Sequence, residues 1–258
     1  MDTVRYETDG PVAIVTINRP EVRNAVDRET ANQLFHAFKA FDADESLSVA
    51  ILTGAGGTFC AGADLKAVAK GGGNRVREEG EGPLGCTRML LSKPVIAAVE
   101  GWAVAGGLEL ALWCDLRIAA ADATFGVYCR RWGVPLVDGG TIRLPRLIGQ
   151  SRANDMILTG RGVSGDEALQ FGLANRLVQK GGTLAAAREI ATLRAAYPQR
   201  CLRSDRLSSY EQWSMDLPTA IDNEYRHGSG TIASGETREG AARFAAGEGR
   251  HGSFAAFR

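Results

Sequence analysis

One carboxylate stands in the most apolar stretch of the chain. From Gly101 to Asp115 the sequence reads GWAVAGGLELALWCD, and Glu109 is flanked by Leu108, Leu110, Ala111, Leu112 and Trp113. Burying an unpaired carboxylate costs several kcal/mol, comparable to the whole stability margin of a small domain. A chain that keeps one there has a use for it. The pair Gly106-Gly107 lets backbone approach closely, and the run after it predicts a helix start with free N–H groups pointing outward. Residues three apart share a helical face, so the Gly106 N–H and the Glu109 carboxylate can address one ligand. The pattern joins an electrophile-stabilising donor to an acid or base.

The chain has 258 residues, of which 45% are hydrophobic, enough for one large domain or a domain plus a subdomain. Thirty basic residues balance thirty acidic ones, so nothing in the net charge draws the protein to nucleic acid or a membrane. The start, MDTVRYETDG, has no apolar signal core, and no apolar run approaches a spanning length; a soluble, cytoplasmic protein is expected. The five cysteines (60, 86, 114, 129 and 201) are far apart with no C-x-x-C pair, which predicts reduced thiols. His36, His227 and His251 are scattered singly, which removes most support for a metal site or a Ser-His-Asp triad.

Along the chain, Pro11 to Asn18 alternates around Val12, Ile14 and Ile17 and reads as a strand after the Asp9-Gly10 turn. Apolar residues at Ala31, Leu34, Phe35, Phe38 and Phe41 follow helical spacing, with Asp27 as N-cap. Short strands are expected at Val49 to Thr53, Pro94 to Val99 and Leu116 to Ala120, with a mobile Gly-rich loop over 71–83. Beyond about residue 140 the character turns helical. Ser164 and Glu167 have capping-box spacing, Gly172 is a natural C-cap, and helical patterns cover about 183–196, 200–213 and 217–227, with one more at 236–246 after a Gly-rich break at Gly228. The expected organisation is an α/β core over 1–195 and a helical C-terminal subdomain over 196–258.

A second glycine-rich segment, GAGGTFCAGADLK (Gly54 to Lys66), follows an apolar strand, where α/β proteins put ligand-binding loops. It lacks the G-K-[ST] of a P-loop, and Phe59 stands where a dinucleotide fingerprint needs its last glycine. Two strand–turn–helix units that meet can each give one N–H to a carbonyl oxygen, forming an oxyanion hole. At this point the chain resembles the crotonase superfamily, the enoyl-CoA hydratase/isomerase group. The stretches that carry the resemblance are NRPEVRNA (Asn18 to Ala25), FCAGADLK (Phe59 to Lys66), the Gly101 run, and GGTIRLPRLIG (Gly139 to Gly149), in the expected order.

The resemblance implies a crotonase-like spiral of ββα turns with a trimerising helical C-terminal part, a homotrimer or dimer of trimers, and an acyl-CoA thioester substrate with no metal or redox cofactor. It places the oxyanion hole at the N–H groups of Ala63 and Gly106, and Glu109 as the first catalytic glutamate. It sets CoA near Arg23, Ala25, Ala61, Asp64 and Leu65, with Lys66 near phosphate. Solvated surface charge is the plainer reading of Lys66 and Arg23. The acyl end is expected against the Gly71 to Gly85 loop and the C-terminal helices.

One departure stands out. Hydratases of this group carry a second glutamate a few residues after an F-G pair; here Phe125-Gly126 leads to Cys129 at that position. A thiol of pKa about 8.5 is a poorer acid–base partner near neutral pH, and a small buried core residue is the alternative role. Asp138, before Gly139-Gly140-Thr141, is a candidate replacement, or else an N-cap or turn residue of the helix that follows. Arg130 and Arg131 either pair with it or meet an acidic acyl group. Hydration ranks first, then enoyl-CoA isomerisation, with hydrolase or decarboxylase chemistry also open. A non-catalytic CoA-binding protein and a dinucleotide-binding oxidoreductase are the readings from other classes.

Overall fold

Val12, Ile14, Val49, Ile51, Ile96 and Ile118 pack on one side of a central sheet, while Ala13, Val15, Ile17, Leu52, Ala97 and Val99 pack on the other. In the computed structural model, which describes residues 2–249 and 251, both faces of that sheet are covered. Six strands form it: β1 (Val4–Asp9), β2 (Val12–Ile17), β3 (Val49–Gly54), β4 (Val95–Val99), β6 (Leu116–Ala120) and β9 (Arg176–Val178), in the order β1-β2-β3-β4-β6-β9. Only the β1–β2 pair is antiparallel. Every residue of β2 is buried, so the half-exposed alternation expected there is corrected: Ile14 and Ile17 point to opposite cores. Parallel central strands are buried on both faces, and their sequences lose the polar half of the alternation.

A second, three-stranded sheet holds β5 (Trp102–Val104), β7 (Thr124–Gly126) and β8 (Gly162–Ser164). Its existence explains the spiral. β4 and β5 lead into α3 (Gly106–Trp113), and β6 and β7 take the next turn, so each turn puts one strand in each sheet before its helix. The chain after β3 follows the same course, since Cys60 bridges to Ala103 before α2 (Leu65–Ala69) begins. Local residue pattern predicts only the first strand of each turn, because β5 and β7 are three residues each, too short to show a period; the ββα turn is what the family resemblance implies.

The expected helix after Asp27 is α1 (Arg28–Ala43), with the Asp27 side chain accepting from the Thr30 N–H. The region beyond 140 contains α4 (Gly140–Ile148) and α5 (Gln150–Thr159), then α6 (Gly165–Phe171), α7 (Thr183–Ala195), α8 (Gln199–Glu211), α9 (Leu217–Ala233) and α10 (Glu236–Ala245). Half of the capping box at α6 forms: Ser164 Oγ accepts from the Glu167 N–H, but the Glu167 carboxylate turns to Arg161 instead. α9 runs through Gly228 and Gly230 to Ala233, past the break expected at Gly228. Packing against α8, with Asn223 and His227 bonded to Glu211, outweighs the weak helix propensity of two glycines. α7 covers the sheet, while α8, α9 and α10 pack on one another. Residues 250 and 252–258 of the expected C-terminal subdomain lie outside the described residues. No helix among the described residues is long and apolar enough to cross a membrane.

Candidate active site

The Phe59 to Asp64 strand-like segment is pinned one N–H at a time. Phe59 donates to Glu100 O, Cys60 to Trp102 O, Ala61 to Arg23 O, Gly62 to the Cys60 sulfur and Asp64 to Val26 O. Ala63 bridges in parallel to Val26 through the groups on either side of it, which turns its own N–H the other way. From the opposite side, Asn24, fully buried at φ 55°, accepts from the Arg19 N–H and donates to Ala55 O and Thr58 O. Asn24→Ala is expected to cost about 2–4 kcal/mol, because two buried carbonyls lose their donor and a non-glycine left-handed residue loses its restraint. Chemical denaturation checks this, and the same variant is expected to weaken ligand binding through the 54–64 segment.

Gly106 supplies the second donor. Ala105 turns the chain from β5 into α3 at φ 54°, ψ −124°, a conformation that costs an alanine about 1–3 kcal/mol. The Ala105 N–H donates to Gly126 O, and as the first residue of α3 Gly106 has no intrahelical acceptor for its own N–H. The two donors are close: a methyl group built on Gly106 would sit 3.5 Å from the Ala63 nitrogen. Gly62, at φ 94°, allows this approach, since a Cβ there would meet the Gly106 nitrogen at 2.8 Å.

Glu109 lies three residues along α3 and is 2% exposed. One oxygen, Oε1, accepts from the N–H groups of Asp138 and Gly140, each at 2.9 Å. Burial dominates its titration and lifts the carboxyl from 4.5 to about 7; the Asp138 charge adds to the rise, while the two N–H bonds and Arg143 oppose it. Asp138, 4% exposed, accepts at Oδ1 from the Leu84 N–H and the Thr87 hydroxyl. Burial raises its carboxyl as well. The N-cap reading of Asp138 is corrected: Gly139 caps α4, and the Asp138 side chain points to the 84–87 loop. Cys129 sits in a short 3-10 helix (Tyr128–Trp132), and its thiol is pushed up by burial and by the Glu109 charge, so it is neutral at pH 7.

These groups face one cavity of about 750 Å³. Its lining contains Ala63, Gly106, Glu109, Cys129 and Asp138 together with Arg23, Ala25, Ala61, Asp64, Leu65 and Lys66, so every candidate residue is gathered in one place. Arg23 and Lys66 are exposed at its edge. Asp64 is engaged within the protein: Oδ1 caps α2 and Oδ2 pairs with Arg19. Burial pushes the Asp64 carboxyl up, but the N–H and guanidinium partners pull it below the usual range.

The cavity lining departs in part from expectation. The 71–85 loop does line the cavity, through Asn74, Val76 and Leu84, but α8, α9 and α10 do not. Tyr128, Trp132, Val134 and Val137 line it as well, all in the stretch after β7 that carries no periodic signal. Arg130 and Arg131 meet neither Asp138 nor the cavity: they donate to Ile157 O and Gly160 O at the end of α5, and Arg131 lies over the Tyr128 ring. Among the described residues, no group of three or more His, Cys, Asp or Glu is placed to hold a metal ion.

A family model described as enoyl-CoA hydratase/isomerase matches residues 7–254. The chain belongs to the enoyl-CoA hydratase/isomerase family. A carnitinyl-CoA dehydratase of Salmonella arizonae is 41% identical over 192 residues, covering 74% of this chain and 73% of that relative. The enoyl-CoA hydratase EchA19 of Mycobacterium tuberculosis is 40% identical over 190 residues, 72% of this chain and 71% of its own. Among solved structures, that of the enoyl-CoA hydratase EchA1 from Mycobacterium marinum superposes with a TM-score of 0.90 at 38% identity, covering 95% of this chain and 96% of that one. The α/β spiral with its helical C-terminal part is thus the crotonase-like fold of the enoyl-CoA hydratase/isomerase family.

Proposed function

We propose that this member of the enoyl-CoA hydratase/isomerase family is a hydratase-like lyase, adding water across the α,β double bond of an acyl-CoA thioester or removing it. The carrying observation is that two adjacent backbone donors without acceptors among the described residues share a cavity with a carboxylate titrating at about 7. The Ala63 and Gly106 N–H groups hold the thioester oxygen. Glu109 takes a proton from water, the water oxygen bonds the β-carbon, and the π-electrons of the double bond shift toward the carbonyl, leaving the negative charge on the thioester oxygen as an enolate. The enolate then re-forms the carbonyl, and the α-carbon takes the proton back from Glu109. A pKa near the working pH lets one carboxyl serve as base and then as acid. Arg23 and Lys66 meet the CoA phosphates, and no metal or redox cofactor takes part.

Mass spectrometry of a panel of acyl-CoA esters, with crotonyl-CoA first, tests this. A gain of one water on crotonyl-CoA is the expected result, and no mass change with any enoyl ester would sink hydration. Isomerisation is the second reading, favoured by Asp138: its raised carboxyl lines the same cavity and serves as an accessory proton carrier. It would show as a moved double bond at constant mass. Exposed Leu217, Ile221 and Tyr225, four residues apart along α9, support assembly into a homotrimer or dimer of trimers.

A further inference from the structure

We propose that Arg143 is a positioning residue for Glu109, acting from behind the turn that carries the two N–H groups bonded to it. Its guanidinium donates through Nη1 to Asp138 O at 2.9 Å and through Nη2 to Thr87 O at 2.7 Å. The Asp138 carbonyl belongs to the peptide unit between the two whose N–H groups meet Glu109 Oε1. Holding the middle plane orients both flanking planes. The need for an outside anchor is plain, because Gly139 in that turn sits at φ 93° and has no side chain to restrain it. Thr87 closes the ring, since its hydroxyl donates to Asp138 Oδ1 while its carbonyl accepts from Arg143.

Arg143 does not line the cavity that contains Glu109. It lines a second one of about 560 Å³, with Leu112, Tyr210 and Trp213, on the far side of a wall made by Val137 and Asp138, which border both. A ligand in the first cavity therefore meets Arg143 only through the turn. The charged groups acting on Glu109 are Asp138 from the turn and Arg143 from α4; Cys129 from the 3-10 helix faces it as a thiol and feels Glu109 and Arg130, while Arg88 and Arg143 act on Asp138. Of those acting directly, Arg143 alone is a cation. Removing it takes away a charge that favours the carboxylate and loosens the two N–H bonds, and both changes push the Glu109 carboxyl further up.

This inference rests on Glu109 as the acid–base group, and its test separates the two. The full-length protein labelled with ¹³C at the glutamate carboxyl is titrated by NMR, Glu109→Gln identifying the resonance. The wild-type midpoint is expected at about 7. In Arg143→Gln it is expected to rise by about one pH unit, and in Arg143→Lys, which keeps the charge but reaches one carbonyl, by less. The kcat of Arg143→Gln at pH 7 is expected to fall about fivefold and to recover by pH 9, with KM within about twofold. An unmoved midpoint in Arg143→Gln overturns the proposal, even if the melting temperature drops. A moved midpoint that kcat ignores instead overturns the role of Glu109. Should Arg143→Gln not fold, an unmoved midpoint in Arg143→Lys decides against the proposal.

Discussion

Glu109→Gln is expected to lower kcat by about three orders of magnitude, the loss typical of a removed acid–base group. The same substitution is expected to make the protein more heat-stable at alkaline pH. The carboxyl rises from 4.5 in an exposed chain to about 7 when folded. Stability that is fully present below pH 4.5 is therefore lost progressively as pH climbs, and wholly lost above about 7. That difference amounts to about 3 kcal/mol. Glutamine carries no charge at any pH, and its side-chain oxygen still accepts from the Asp138 and Gly140 N–H groups, so the variant avoids the loss. Calorimetry at pH 5 and pH 8 should show the variant's advantage in melting temperature growing by several degrees between them. An advantage equal at both values would show that burial does not perturb Glu109.

Gly106→Ala is expected to lower kcat by about 10²–10³-fold with little change in melting temperature. The added methyl lies 3.3 Å from Gly62 Cα and 3.5 Å from the Ala63 nitrogen, between the two donors where the thioester oxygen has to sit. Its close contact, 2.7 Å, is with the tip of Leu84, a side chain that can turn aside. The neighbouring glycine behaves oppositely. A Cβ on Gly107 would lie 2.0 Å from the Cys60 carbonyl oxygen, so Gly107→Ala should cost the fold itself. Kinetics with crotonyl-CoA beside melting curves for both variants distinguish a blocked oxyanion hole from a damaged core. Activity within threefold of wild type in Gly106→Ala would remove these N–H groups from the mechanism.

Strands β2, β3, β4 and β6 of the large sheet, α1 with its Asp27 cap, and the C-terminal helices were legible because each has a local cause in the residues: an apolar run, a helical period or a capping side chain. The members of the site were legible for a different reason. Asn18 to Ala25, Phe59 to Lys66 and Gly101 to Asp115 have a residue order that resembles a known family, and the last two bear glycines where backbone approaches closely. Strands β5, β7, β8 and β9 were not legible, because three residues cannot display a period, nor was β1, which is exposed beyond Val4 and lacks an apolar run. Nor was the cavity wall of Tyr128, Trp132, Val134 and Val137, whose residues read equally as core or surface until the chain around them is placed.

The sequence by itself determined that one carboxylate would be carried on a nearly all-apolar helix beside a pair of glycines, since burial and backbone freedom follow from residue type. It also determined that Cys129 would stand where a second carboxylate was expected. Only the tertiary structure decided what Glu109 meets. Its partners at Asp138 and Gly140 lie 29 and 31 residues away, and the Ala63 donor 46 residues before it, distances across which no local pattern reports. Hydrogen bonds, desolvation and the guanidinium behind the turn act through space, so the pKa of about 7 is a property of the packed fold.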